Sequence, residues 1–172
     1  MFGNNGSRLA SWIISFMPVS RWHGLKCFLL RRIGGIKIGK GTEVFSGCWF
    51  CGRYIQIGEK CFIGQGVRLI ATNDEAPLII GNNVTFGPNV YASTGAHHLG
   101  DASRRSGPGW SRSIVIGDGT AVSVNAIISA GTKIGRGCQI GSGVVAAGKI
   151  KDNVMLVQAP PCKVLLGESG SF

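Results

Sequence analysis

Two of the three histidines in the 172-residue chain are adjacent, His97 and His98, in the stretch STGAHHLG from Ser93 to Gly100. An imidazole ionises near neutral pH, so it can take a proton from a hydroxyl as that oxygen attacks an activated carbonyl, a contribution of about 10²- to 10⁴-fold in rate. The alternative is local packing or a loop hydrogen bond. The polar stretch that follows, Gly100 to Ser113, carries Arg104, Arg105 and Trp110. Guanidinium groups pair with anionic ligands and an indole stacks on rings, although arginines in polar loops are often simply solvated. Six cysteines are present, two of them in CWFC at Cys48 to Cys51. A single C-x2-C lacks a second ligand pair, and adjacent histidines are poorly spaced to supply one, so no metal is expected.

Which imidazole faces outward depends on the elements that carry the pair. The length suits one domain or one repeat array with a continuous apolar core. With 28 glycines, frequent valine and isoleucine and few aromatics, the composition favours short strands and tight turns. An all-β solenoid is the expected class. Eighteen Lys and Arg against eight Asp and Glu give a formal charge of +10, which attracts anionic partners. Nucleic acid is not expected, because the basic residues are dispersed and no finger, RNP or helix-turn-helix pattern is present.

Residues 1–35 differ from the rest. LASWIISFMPVS and WHGLKCFLLRRIGG each hold an apolar run of about ten residues, too short for a bilayer that needs about 20. No cleavage site of the signal-peptide type is present. The pattern predicts two short amphipathic helices broken near Pro18. They either cap the core or a neighbouring subunit, or dock on an anionic membrane surface through basic residues beside Trp12, Trp22 and Phe28.

From Ile38 onward the chain has a period of six. Aliphatic or aromatic residues recur at Ile38, Val44, Ile57, Ile63, Leu69, Ile80, Phe86, Ile116, Val122, Ile128, Ile134 and Ile140. Glycine or serine usually follows, and a small or β-branched residue lies four places on, as at Thr42, Cys48, Cys61, Val84, Thr120, Thr132 and Cys138. Six suits a strand of a few residues and a corner, three of which close a triangular coil whose turns stack about 4.8 Å apart. The cysteines in this pattern are then compact interior residues. Taking Ala92 as a weak aliphatic position places Ala96 inward and His97 outward; His98 takes the next inward slot or starts an excursion. Ala92 and Ile116 are 24 residues apart, a multiple of six, so the register resumes after a projecting loop.

The run IGDGTAVSVNAIISAGTKIGRGCQIGSGVV, with STGAHHLGDASRRSGPG before it, resembles the hexapeptide-repeat acyltransferases of the left-handed parallel β-helix family. The likeness is greatest to bacterial O-acetyltransferases that act on saccharides and surface polysaccharides. It implies a left-handed β-helix over 36–165, with the helical segment 1–35 before it, a loop at about 98–113, and a short tail, 166–172. It also implies a homotrimer with sites between subunits, acetyl-CoA as acyl donor, and a saccharide or lipid-linked glycan acceptor. His97 matches the catalytic base. Val124 matches the backbone N–H that receives the oxyanion, and Ser142, Lys149 and Lys163 are the cofactor contacts. Acceptor recognition does not carry over from the resemblance; His98, Arg104, Arg105 and Trp110 are candidate acceptor contacts on their own chemistry. Two departures stand out: AAGKIK replaces a turn that reads VTKDVP in relatives, and Val67 stands where small-sugar relatives have an acceptor-binding asparagine. The rival readings are a sugar N-acetyltransferase, a γ-class carbonic anhydrase and a non-catalytic scaffold. Only three histidines are present, with His23 outside the repeat, which disfavours the second. The cytoplasm is the expected location, at the inner membrane face if the helices dock there.

Overall fold

The computed structural model describes residues 3–158. Lys163, Cys162 and the tail 166–172 lie outside them. The six-residue rhythm builds a parallel β-solenoid from three sheets. The first contains Lys37–Ile38, Ile55–Ile57, Leu78–Ile80, Ile114–Ile116, Lys133–Ile134 and Lys149–Ile150. The second contains Glu43–Val44, Phe62–Ile63, Thr85–Phe86, Ala121–Val122, Gln139–Ile140 and Met155–Leu156. The third contains Trp49–Cys51, Arg68–Ile70, Tyr91–Ser93, Ile127–Ile128 and Val145–Ala146. Each coil contributes one strand per sheet, and its aliphatic residues stack on those of the next: Ile57 on Ile80, Phe86 on Val122, Ala92 on Ile128. All the aliphatic positions of the period are buried in one core.

The other two positions of the motif follow from the stacking. A Cβ on Gly117, just past an aliphatic position, would lie 2.6 Å from the Gly135 carbonyl carbon of the next coil, so no side chain fits. At the small position, cysteine and threonine do the same work. The Thr42 and Thr120 hydroxyls donate to Gly58 and Gly135 carbonyls at 2.8 Å, while the Cys48 and Cys138 thiols donate to Gly64 and Lys151 carbonyls at 3.0 Å. Each ties one coil to the next with a buried donor.

The first coil is an edge, and the two helices close it. Helix α1 (Gly3–Ser15) lies along the strand Trp49–Cys51, where the Ser11 and Ser7 hydroxyls accept from the Phe50 and Gly52 N–H at 2.8 and 2.9 Å. Helix α2 (His23–Arg32) covers the carbonyl side: His23 meets Val44 O at 2.9 Å, and Arg31 Nε donates to Ile38 O at 2.9 Å. The buried Lys26 ammonium donates to Pro18 and Val19 carbonyls and so fixes the turn between the helices.

Between the third-sheet strand Tyr91–Ser93 and Ile114 the chain leaves the coil. This excursion is an antiparallel hairpin, Gly95–Leu99 with Ser106–Ser111, that starts before the expected position near 98. Ala96, expected to point inward, is instead half-buried within the hairpin, opposite Trp110. The last inward residue is Thr94, whose hydroxyl accepts from the Thr72 N–H at 3.0 Å and so ends the coil there.

Candidate functional site

The hairpin presents His97 as an exposed side chain with a cavity on either side. One, of about 540 Å³, is lined by His97, Asp101, Arg104, Ser106 and Pro108. The other, of about 600 Å³, is lined by His97, Thr72, Asn73, Tyr91, Trp110 and Ser111. Across the hairpin His97 faces Gly109, whose missing Cβ would lie 3.9 Å from His97 Nε2, so the opposite strand leaves the imidazole uncovered. Among the described residues none hydrogen-bonds that ring, and both nitrogens are open to an incoming group.

His98 is also exposed, so of its two expected places it takes the excursion and not the inward slot. The reason is the hairpin, which lifts both histidines off the prism. The His98 ring lies 6.0 Å from that of Trp110, and the Arg112 guanidinium carbon lies 5.2 Å from the indole on its own account. Arg104 lines the smaller cavity, whereas Arg105 reaches the Gly100 carbonyl at 3.4 Å. The hairpin tip is fixed by Asp101, whose carboxylate accepts from the Ser103 hydroxyl and the Ser103 and Arg104 N–H. The Ser103 hydroxyl bond, with the two backbone bonds, holds this carboxyl below the ordinary range.

Val124 lies at the corner that enters the third sheet, while the hairpin leaves from the corner where that sheet ends. At the strand rise of about 3.3 Å per residue the two are separated by on the order of 15 Å, so a single chain does not bring His97 and Val124 together. The neighbouring amides of Val124 are occupied: Ser123 N–H donates to Ile140 O and Asn125 N–H to Pro88 O, at 2.9 and 3.0 Å. Asn125 is left-handed, with φ 58°, and the corner turns the intervening Val124 N–H out of the ladder, with no acceptor among the described residues. Ser142 is exposed at the same corner one coil on, where the Gly143 N–H donates to Val124 O at 3.0 Å. Beside it a cavity of about 290 Å³ is lined by Val144, Val145, Leu156 and Val157. Lys149 is exposed and pairs in register with Lys133, which sets two ammonium groups on neighbouring coils of the first sheet.

Sequence reasoning missed Tyr91, Thr72 and Asn73 on the wall of the larger cavity. The register contained the signal for Tyr91, which precedes the inward Ala92 and must point outward. Thr72 comes to the site by stacking, because Ile70 pairs with Ser93 one coil on. Among the described residues no three His, Cys, Asp or Glu side chains converge on a metal position.

A solenoid of hexapeptide coils has counterparts among known proteins. Residues 113–145 match the family model of the hexapeptide repeat of succinyl-transferase. The chain is 28% identical over 129 residues to the galactoside O-acetyltransferase of Lactococcus lactis, a match covering 64% of this chain and 62% of that protein. It thus spans less than two thirds of the length of that relative. Among solved structures, the maltose O-acetyltransferase of Clostridium difficile 630 has a TM-score of 0.76 at 25% identity, covering 89% of this chain and 80% of the other. A hexapeptide-repeat acetyltransferase of Vibrio cholerae, complexed with acetyl coenzyme A, has a TM-score of 0.73 at 24% identity, covering 88% and 80%. The chain thus carries the hexapeptide repeat over residues 113–145, and in sequence and fold it is similar to known saccharide O-acetyltransferases.

Proposed function

We propose that this protein transfers an acetyl group from acetyl-CoA to a hydroxyl of a saccharide or glycan precursor, in the cytoplasm, as a homotrimer. The observation that carries this reading is His97, held out uncovered between two cavities at the root of the hairpin. The His97 imidazole takes the proton of the acceptor hydroxyl while the oxygen bonds to the thioester carbon. The carbonyl electrons move onto oxygen, and the outward Val124 N–H stabilises that oxyanion. Collapse re-forms the carbonyl and expels the CoA thiolate, which takes the proton from the imidazolium.

The separation of His97 from Val124 along one chain supports a site shared between copies, in which the hairpin of one protomer faces the Val124 corner of its neighbour. The outer face of the third sheet supports the same arrangement, since Trp49, Tyr91, Ile127 and Val145 are exposed apolar side chains on successive coils, broken only by Arg68. Such a ladder is suited to burial. The apolar cavity beside Ser142 suits the pantetheine arm, and Lys149 and Lys133 suit the nucleotide phosphates, with Lys163 as a further contact. Trp110, Arg104, Arg105 and His98 offer ring stacking and anion pairing to the acceptor.

The test is incubation with radiolabelled acetyl-CoA and a panel of neutral, acidic and lipid-linked glycans, followed by separation of products. Labelled, alkali-labile acetyl on a glycan is expected. Hydrolysis-resistant label on an amino sugar, or no transfer to any acceptor, would overturn the reading.

A further inference from the structure

The helical cap has two faces, and only one of them is used by the solenoid. Helix α1 turns Ser7, Ala10, Ser11 and Ile14 inward, all fully buried, and turns Leu9 and Trp12 outward, with Phe16 just past its end; Trp12 and Phe16 are 57% and 74% exposed. These positions are one helical turn apart on the side opposite the serines. The apolar face continues through Val19 and Trp22 to Phe28, all exposed. Trp22 is held in a left-handed backbone conformation, φ 58°, which an aromatic residue adopts only under constraint, and its indole is 59% exposed. Burying one face of α1 in the cap thus leaves the bulkier apolar face in solvent.

Charge identifies what covers it. No Asp or Glu precedes Glu43 in the sequence, while Arg21 and Arg32 are exposed along the same segment, and Arg8 and Arg31, also exposed, bond to Cys51 and to the Ile38 and Gly39 carbonyls. The Arg32 guanidinium carbon stands 5.8 Å from the Phe28 ring centre, so cation and aromatic form a single surface. Glu43 itself shares a cavity with Arg31 and Lys40 and is outnumbered there. Among the described residues no helix is long and apolar enough to cross a membrane. We infer that the outward face of α1, the Pro18 turn and α2 is a docking surface for an anionic lipid bilayer, with the aromatic rings among the headgroups and the arginines paired with lipid charges. This surface is separate from the chemistry proposed at His97.

The full chain is mixed with vesicles of phosphatidylcholine alone, or with an equal share of phosphatidylglycerol, and pelleted at low and high salt. Binding is expected to the anionic vesicles, falling as salt rises. Phe16→Ser and Trp12→Ser are each expected to weaken it by about tenfold, since burial of one ring is worth at least one decade in affinity. Arg21→Gln together with Arg32→Gln is expected to weaken it and flatten its salt dependence. All these side chains are exposed, so circular dichroism and sedimentation velocity should match those of the wild type. Equal pelleting with neutral vesicles, or none with either, would overturn the inference. So would a change in assembly size in Phe16→Ser, which would make the face a contact between copies, or undiminished binding in the double arginine variant.

Discussion

His97 and His98 are neighbours in sequence with the same ionisation chemistry, and the hairpin gives them different surroundings. His97 lines both cavities, whereas His98 lies beside Trp110. His97→Ala is therefore expected to lower kcat by about 10²- to 10⁴-fold with no change in melting temperature, because the lost side chain is solvent-facing. His98→Ala should alter kcat by less than about threefold; steady-state kinetics and a thermal melt on each variant check both outcomes. The coil cysteines show the opposite situation. Burial pushes the Cys48 thiol up to about 12, and the thiol donates to the Gly64 carbonyl. In the folded protein Cys48 should resist a thiol-specific disulfide reagent near pH 8, while half-buried Cys51 labels first among the cysteines of the described residues. The sign of the pH effect follows: with the folded value above the unfolded one, this residue's contribution is complete below about 9 and is lost as pH rises toward about 12. Chemical denaturation across the alkaline range should show that decline.

The helices and the hairpin depend on hydrogen bonds that no periodicity reports. Ser11 accepts from the Phe50 N–H at 2.8 Å in a buried position, so Ser11→Ala leaves that donor without a partner. A loss of about 1–3 kcal/mol is expected, read from the urea midpoint at unchanged slope. Ser15→Ala, whose hydroxyl is exposed and bonds only within α1, should cost far less. The contrast marks how far the sequence could be read. The six-residue period was legible because each aliphatic position repeats one physical demand, an apolar side chain stacked on that of the next coil and usually followed by a residue with no room for a side chain. The two helices were legible from their apolar runs and Pro18, but not the inversion of α1, in which serines are buried and tryptophan is exposed. Apolar periodicity assigns the larger side chains to the core, and here an unpaired strand edge required hydroxyls instead. The hairpin was read as a loop because SGPGWS has little strand propensity of its own and pairs through its partner strand and the Thr72 to Ser111 hydrogen bond of 2.7 Å.

At the scale of the molecule, the solenoid fixes distances that side chains cannot alter. Coils stack at about 4.8 Å, so the hairpin leaves the prism only two coils beyond the helical cap, on the order of 10 Å along the axis. Acceptors held at a lipid surface would thus meet His97 without a long reach. The third sheet separates His97 from the Val124 amide within one chain, and in the proposed assembly a second copy supplies the missing partner. Its corner also provides a clean way to remove that amide: Pro88 occupies the same corner one coil earlier, with Phe86 and Val122 in register, so Val124→Pro should fold. The decisive measurement is acetyl transfer after co-refolding equal amounts of His97→Ala and Val124→Pro, each inactive alone. Recovery of a substantial fraction of wild-type turnover is expected, because mixed assemblies contain sites with an intact imidazole from one chain and an intact amide from the next. Turnover that stays at the level of the separate variants, although mixed assemblies form, would contradict the account.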